Sequence, residues 1–339
     1  MSTLELAGQT IVAGFSDAPP ADFCTALEEG SLAGATFFRR NLPSAHEAWR
    51  RIRSMPAHAA RPPLFAIDQE GGRVQRLGAP VHALPPMAEL ATGSAQQTEQ
   101  EARVLGTQLR QLGFTMNFAP VLDVNSFAES PVIGDRAFSS EPTVVIAHAR
   151  AYMRGLAASG MLSCGKHFPG HGDTRLDSHF ALPTITHERA RLNEVELAPF
   201  AALASELPAI MTAHIVVTAL DAVPATLSPK ILQGLLRDEL GFQGAIISDD
   251  LEMKAVAAQF SLADAALRSI EAGCDLVLIC SDLAGAFDAR AAIAERAERD
   301  ETFAKRLEDA ARRSLRLRRS APPAPAKAFP FAYDTPVED

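Results

Sequence analysis

The sequence predicts an α/β fold, a single-domain (β/α)8 TIM-type barrel. Three observations carry this expectation. Eight short apolar runs recur along the chain, at 10–15, 35–38, 64–67, 114–122, 161–165, 209–215, 245–247 and 274–279. Each run is continuous rather than alternating, as expected of parallel strands covered on both faces. Between the runs lie stretches with helix start and stop signals, so strand and helix candidates alternate. A doubly wound open sheet would produce the same string, and periodicity alone leaves the two open.

The helix signals are specific. Ser44 stands three residues before Glu47, the spacing of a capping box. Ser228 and Pro229 open a helical stretch that Gly241 closes. Ser261 with Asp264 opens the next, and Gly273 ends it. From Ser320 onward the chain turns Pro- and Ala-rich. The expected organisation is a barrel over 1–319 and a surface or mobile tail over 320–339.

Composition sets the limits. The 339 residues are 47% hydrophobic and 22% charged, which suits a globular chain with a large core and argues against disorder. The length would allow two domains, but α/β barrels reach it as one. A net charge of −9 lacks the basic footprint of general nucleic-acid or anionic-membrane binding. No apolar run approaches the ~20 residues that cross a bilayer. The first 15 residues carry Glu5 and no basic cluster, so they do not read as a signal peptide. Cys24, Cys164, Cys274 and Cys280 form no CxxC pair and read as reduced core thiols. The expected location is the cytoplasm.

Polar residues gather where the strand candidates end: Asp68, Asn117 with Asp123 soon after, Lys166 and His167, His214, and Asp249 with Asp250. In a parallel α/β fold these ends face the ligand. A polar residue must end most strands, but five such ends in one chain point to a shared pocket.

The densest stretch is 166–179, KHFPGHGDTRLDSH, with three His, two Asp, one Lys and two Gly. Pro169, Gly170 and Gly172 make it a loop. Three readings compete on residue types. His167, His171, His179 and Asp173 are possible metal ligands, although their spacings do not match a helical HExxH pattern. Asp177 and His179, one residue apart, point the same way in an extended segment, so the carboxylate can orient the imidazole for acid–base work. The third reading is a solvated loop of satisfied histidines.

Asp249 follows a buried strand and is expected in the pocket as nucleophile, base or stabiliser of a cationic transition state. Asp250 is expected to serve the N-terminus of the following helix. In 68–76, DQEGGRVQR, Asp68 and Arg76 are candidates for binding substrate hydroxyls, and the Gly pair permits a tight turn. In 133–138, IGDRAF, Arg136 is a candidate ligand group or a surface ion pair. Neither a GxGxxG dinucleotide fingerprint nor a GxxxxGK[ST] phosphate loop is present.

KHFPGHGDTRLDSH, ISDDLEM, DQEGGRVQR and IGDRAF, in this chain's arrangement, closely resemble the bacterial β-N-acetylhexosaminidases of glycoside hydrolase family 3, over roughly residues 8–318. The resemblance implies a retaining (β/α)8 enzyme that removes terminal β-linked N-acetylglucosamine, usually from cytoplasmic 1,6-anhydro-muropeptides. It implies Asp249 as nucleophile, His179 as general acid/base and Asp177 as its partner. It also implies Asp68, Arg76, Arg136, Lys166 and His167 as sugar-binding residues. No cofactor or metal is expected, and the expected partner is a small carbohydrate rather than nucleic acid or membrane. A β-N-acetylglucosaminide phosphorylase is the alternative, since a histidine acid would not repel incoming phosphate as a carboxylate would.

Overall fold

Eight parallel strands among the described residues pair in chain order and close on themselves. They are β1 (Ile11–Ala13), β2 (Gly34–Phe37), β3 (Leu64–Ile67), β4 (Met116–Asn117), β5 (Leu162–Ser163 and Gly165–Phe168), β6 (Ala209–Thr212), β7 (Ala245–Asp250) and β8 (Leu276–Ile279). The computed structural model describes residues 1–127, 129–174, 182–323 and 328–331. β8 returns to pair with β1. β5 supplies both sides of the remaining seam. Its first half aligns with β4, Met116 opposite Leu162, and its second half with β6, Ile210 opposite Gly165. A bridge between Val121 and Lys166 extends the β4–β5 seam. This closure decides between the two folds that periodicity left open: the sheet is a barrel.

The continuous apolar runs reflect two cores on the two faces of one sheet. Val12, Leu64, Ala66, Met116, Leu162, Cys164, Ala209, Met211, Ala245, Ile247, Leu276 and Leu278 fill the barrel interior. Their neighbours Ile11, Ala13, Phe65, Ile67, Ile210, Ile246, Val277 and Ile279 pack outward under the helices. Side chains alternate along each strand, and both faces are dry.

Helices Ala21–Glu28, Ala45–Ser54, Ala95–Leu112, Pro142–Ala158, Ala198–Leu203, Lys230–Glu239 and Leu262–Ala272 lie between successive strands. Ser44 and Ser261 accept hydrogen bonds from the N–H groups of Glu47 and Asp264, but the returning half of the Ser44 capping box does not form, because the Glu47 carboxylate pairs with Arg50. Lys230–Glu239 is wound as a π-helix, wider than an α-helix, and Gly241 follows it at φ +70°. No helix among the described residues is long and apolar enough to cross a membrane.

The last helix, Glu301–Ser320, lies across the floor of the barrel. Leu317 belongs to the interior cluster. Ser314 Oγ donates to the carbonyl of Gln9, just before β1, and Arg318 donates to the carbonyl of Pro62, just before β3. Beyond it, Arg110 holds the carbonyls of Pro322 and Pro323, and Phe329 packs edge-on against Trp49. With the floor sealed, access to the interior is from the C-terminal ends of the strands.

Candidate active site

Inward alternation delivers charge to that open end. On β3 the inward series 64, 66 continues to Asp68; on β5 the series 162, 164 continues to Lys166; on β7 the series 245, 247 continues to Asp249. Asp68, Arg76, Arg136, Lys166, His167 and Asp249 all line one cavity of about 310 Å³. Its wall is completed by Thr36, Phe38, Glu70, Arg73, Phe118, His171, Met211, Asp250, Met253 and Cys280, among others.

Two register shifts add a second polar residue at two strand ends. Between Ile210 and Thr212 of β6, β5 spends three steps, Gly165 to Phe168, against two. Between Leu276 and Leu278 of β8, β7 likewise spends three, Ile247 to Asp250. Such bulges re-aim side chains next to active sites. Here they bring the consecutive pairs Lys166–His167 and Asp249–Asp250 to the same cavity. Ser248 stitches the second bulge by accepting the N–H of Leu278 at 3.0 Å.

Asp250 therefore departs from expectation. It ends the strand and does not cap a helix; the next helix, Lys254–Ala257, has Met253 at its N-cap. Its Oδ1 accepts the N–H groups of Glu252 (3.1 Å) and Cys280 (3.3 Å). Burial, with the neighbouring Glu252 and Asp249 carboxylates, pushes its pKa up to about 6. Asp249 Oδ1 accepts the N–H of Asp250 at 2.8 Å.

The remaining charges form a chain of alternating sign, Arg76–Asp68–Lys166–Glu70–Arg136. Arg76 Nη2 lies 3.0 Å from Asp68 Oδ2, and Lys166 Nζ lies 2.8 Å from Asp68 Oδ1 and 2.6 Å from Glu70 Oε1. Arg136 grips Glu70 with two hydrogen bonds of 2.8 and 2.9 Å. Burial alone would raise the Asp68 and Glu70 carboxyls. The cations outweigh it, holding Glu70 at about 2 and Asp68 well below the carboxylate range. Burial would likewise weaken the Lys166 charge, but the two carboxylates lift its pKa above the usual value. Asp68, Glu70, Lys166 and Arg136 are thereby held ionised and point fixed charges at the cavity.

Glu70 is missing from the candidates read from sequence. It sits between Arg136 and Lys166, 1% exposed. The available signal is the inward series 64, 66, 68, whose next member is 70. The Gln69–Gly71 strand and its partner Val74–Gln75 form a hairpin here, turned by Gly71 at φ +125° and Gly72 at φ +53°. Its far end is tied down by Arg73, which donates to the carbonyl of Val132 at 2.7 Å.

Several polar strand-end residues support the cavity from behind. Asp123 accepts from His167 Nδ1 at 2.7 Å and from the N–H of His171 at 2.6 Å. That bond places the proton on Nδ1 and leaves Nε2 on the cavity side, 3.4 Å from Arg136. Asn117 bonds both backbone groups of Gln69, which positions Asp68 and Glu70. His214 is fully buried between Thr226 and the carbonyl of Asp250. Burial and the nearby His167 lower the His171 pKa to about 4, so its ring is neutral. Asp173 does not join His167 and His171; it pairs with His187. His179 and Asp177 lie outside the described residues.

This arrangement is a closed-floor pocket of fixed charges with two consecutive carboxylates, Asp249 and Asp250, at a bulged strand end. Such a pocket suits a polyhydroxylated ligand, which offers many donors and acceptors. The family description "Glycosyl hydrolase family 3 N terminal domain" matches residues 8–317. A β-hexosaminidase of Idiomarina loihiensis is 39% identical over 270 residues, 77% of this chain and 80% of the relative. The structure of NagZ from Neisseria gonorrhoeae in complex with N-trifluoroacetyl-D-glucosamine superposes with a TM-score of 0.77 at 30% identity, covering 93% of this chain and 97% of that one. A glycoside hydrolase family 3 β-N-acetylglucosaminidase from Paenibacillus sp. str. FPU-7 superposes with a TM-score of 0.90 at 35% identity, covering all of this chain and 66% of that one. Barrel, cavity and sequence agree, and the chain belongs to glycoside hydrolase family 3, as a β-N-acetylhexosaminidase of the NagZ type.

Proposed function

We propose that this cavity removes a terminal, non-reducing β-linked N-acetylglucosamine from peptidoglycan fragments, with 1,6-anhydro-muropeptides as the substrate class, in the cytoplasm. The observation that carries the reaction is the place of Asp249, an inward carboxylate at the end of β7 in the same cavity as Asp68, Lys166 and Arg136. The muropeptide and cytoplasmic parts rest on family resemblance.

In the first step an Asp249 oxygen attacks the anomeric carbon as the glycosidic C–O bond breaks. His179, oriented by Asp177, gives its proton to the departing oxygen. In the second step His179 takes a proton from water, and the hydroxide oxygen displaces Asp249. Two displacements retain the β configuration. Asp68, Lys166, Arg76, Arg136 and His167 hold the sugar, so that binding energy becomes positioning. Water, rather than phosphate, is the acceptor in this mechanism.

The test is a slow fluorinated N-acetylglucosaminide followed by peptide mass mapping. The covalent label is expected on the peptide bearing Asp249. Label on another residue, or an inverted α product, overturns the mechanism.

A further inference from the structure

Outside the catalytic cavity, three side chains of metal-ligand type meet, two of them from positions on either side of the stretch 175–181 in the sequence. Asp173 precedes that stretch, His187 follows it, and Glu196 stands just before helix Ala198–Leu203. One donor atom from each lies within 4.8 Å of the other two. His187 Nε2 faces Asp173 Oδ2 directly.

Glu196 is the second observation. Its side chain is 1% exposed, and its two oxygens are treated unequally. Oε1 accepts from Arg191 and from Ser126, both at 3.3 Å. Oε2 is buried with no hydrogen-bond donor among the described residues. Buried carboxylate oxygens are rarely left so, and a bound ion is one of the explanations for an exception. The position is tightly set: Gly170 passes at φ +123°, where an added Cβ would stand 2.9 Å from Glu196 Cβ.

The donor set selects the missing partner. Two carboxylates and an imidazole suit a borderline divalent cation, and zinc takes three such ligands plus water. Zinc–ligand bonds of about 2.0–2.2 Å put tetrahedral donors about 3.4 Å apart. Zinc would part the Asp173–His187 contact to that spacing and draw in Glu196, whose donor atom lies within 4.8 Å of theirs. A cavity of about 430 Å³ opens over Asp173 and His187, which gives an ion entry and room for a water. The local charge also favours a cation, since two carboxylates, Asp173 and Glu196, face the guanidinium of Arg191, which pairs with Glu196.

We infer that Asp173, His187 and Glu196 form a zinc site, with three protein ligands and one water, joining the two flanks of residues 175–181. The site is separate from the glycosidase reading, which uses none of these residues.

The test uses the full chain, stripped with a chelator and titrated with zinc chloride by calorimetry, alongside His187→Gln, Glu196→Gln and His179→Ala. One zinc per chain is expected that survives His179→Ala. It should weaken at least about 100-fold in both cluster variants, beyond the 10–100-fold that loss of an outer partner costs. Cobalt loading should give the visible absorption of a four-coordinate site in the parent and not in His187→Gln. Zinc should raise the melting temperature of the parent but not of the two variants. If Glu196→Gln does not fold, His187→Gln decides, because that side chain is one-third exposed. Absence of binding at sub-millimolar zinc overturns the inference. So does binding that His187→Gln retains, or zinc lost only in His179→Ala, which places the ion in the catalytic cavity.

Discussion

Lys166 Nζ lies 2.6 Å from Glu70 Oε1, with both side chains almost wholly removed from solvent. Arg136 forks onto the same carboxylate, so Glu70 neutralises two buried cations at once. Removing one partner of a buried pair leaves an uncompensated charge, which costs about 3–5 kcal/mol. Glu70→Ala is expected to lose stability on that scale in urea denaturation. A loss below 1 kcal/mol would show that the network does not hold the site together.

The same carboxylate carries a pH dependence. Its folded pKa, about 2, lies below the ordinary 4.5 because Arg136 and Lys166 outweigh burial. A depressed carboxyl stabilises the fold fully above the unfolded value and loses that contribution as pH falls toward the folded one. Parent stability should therefore drop between about pH 4.5 and 2, and Glu70→Gln should drop less steeply. Parallel curves for the two proteins would contradict this.

Asp250 works in the opposite sense. Its folded pKa, about 6, is raised from 3.8, first by burial. The stability tied to its proton is present below the unfolded pKa and lost as pH rises through about 6. A shift of that size corresponds to at most about 3 kcal/mol. Asp250→Asn should thus gain stability relative to the parent on going from about pH 4 to pH 7.5. Chemical denaturation at the two pH values measures it, and a difference independent of pH would refute it.

His179→Ala is expected to lose about 10²–10⁴-fold in rate on substrates with poor leaving groups, which need the proton. Activated aryl glycosides should lose far less. Steady-state rates on the two substrate types separate them, and equal losses would remove His179 from the acid role.

Asp123 orients His167 through a 2.7 Å bond between buried groups. Asp123→Asn replaces a charged acceptor, and hydrogen bonds to charged groups contribute about 1.5–3 kcal/mol. The expected loss in kcat/KM is about 10–100-fold. Leu317→Ala, at the barrel floor, is the control: it should cost about 2–5 kcal/mol of stability and leave kcat/KM unchanged.

How much was legible varies by residue. Asp68 and Asp249 could be placed in a pocket from sequence, because each ends an apolar run and strand ends face ligand in parallel α/β folds. Glu70 was legible in principle through the inward period of two along 64, 66, 68. Asp250 was misread as a helix cap because a bulge leaves no mark in composition; it arises only when β7 registers against β8. The service of Asp123 to His167 joins residues 44 positions apart, a distance no local pattern spans.

Local chemistry in the chain was enough to specify the alternation of strands and helices, the helix starts at Ser44 and Ser261, and the family motifs, since backbone preferences and side-chain periodicity act over a few residues. Closure into a barrel rather than an open sheet was settled in three dimensions, when the two halves of β5 paired on opposite sides. The pairing of charges around Lys166, and the turning of Asp173 away from His167 toward His187 and Glu196, were settled there too. Each depends on which groups share a buried volume, and burial is a property of the packed chain, not of any segment of it.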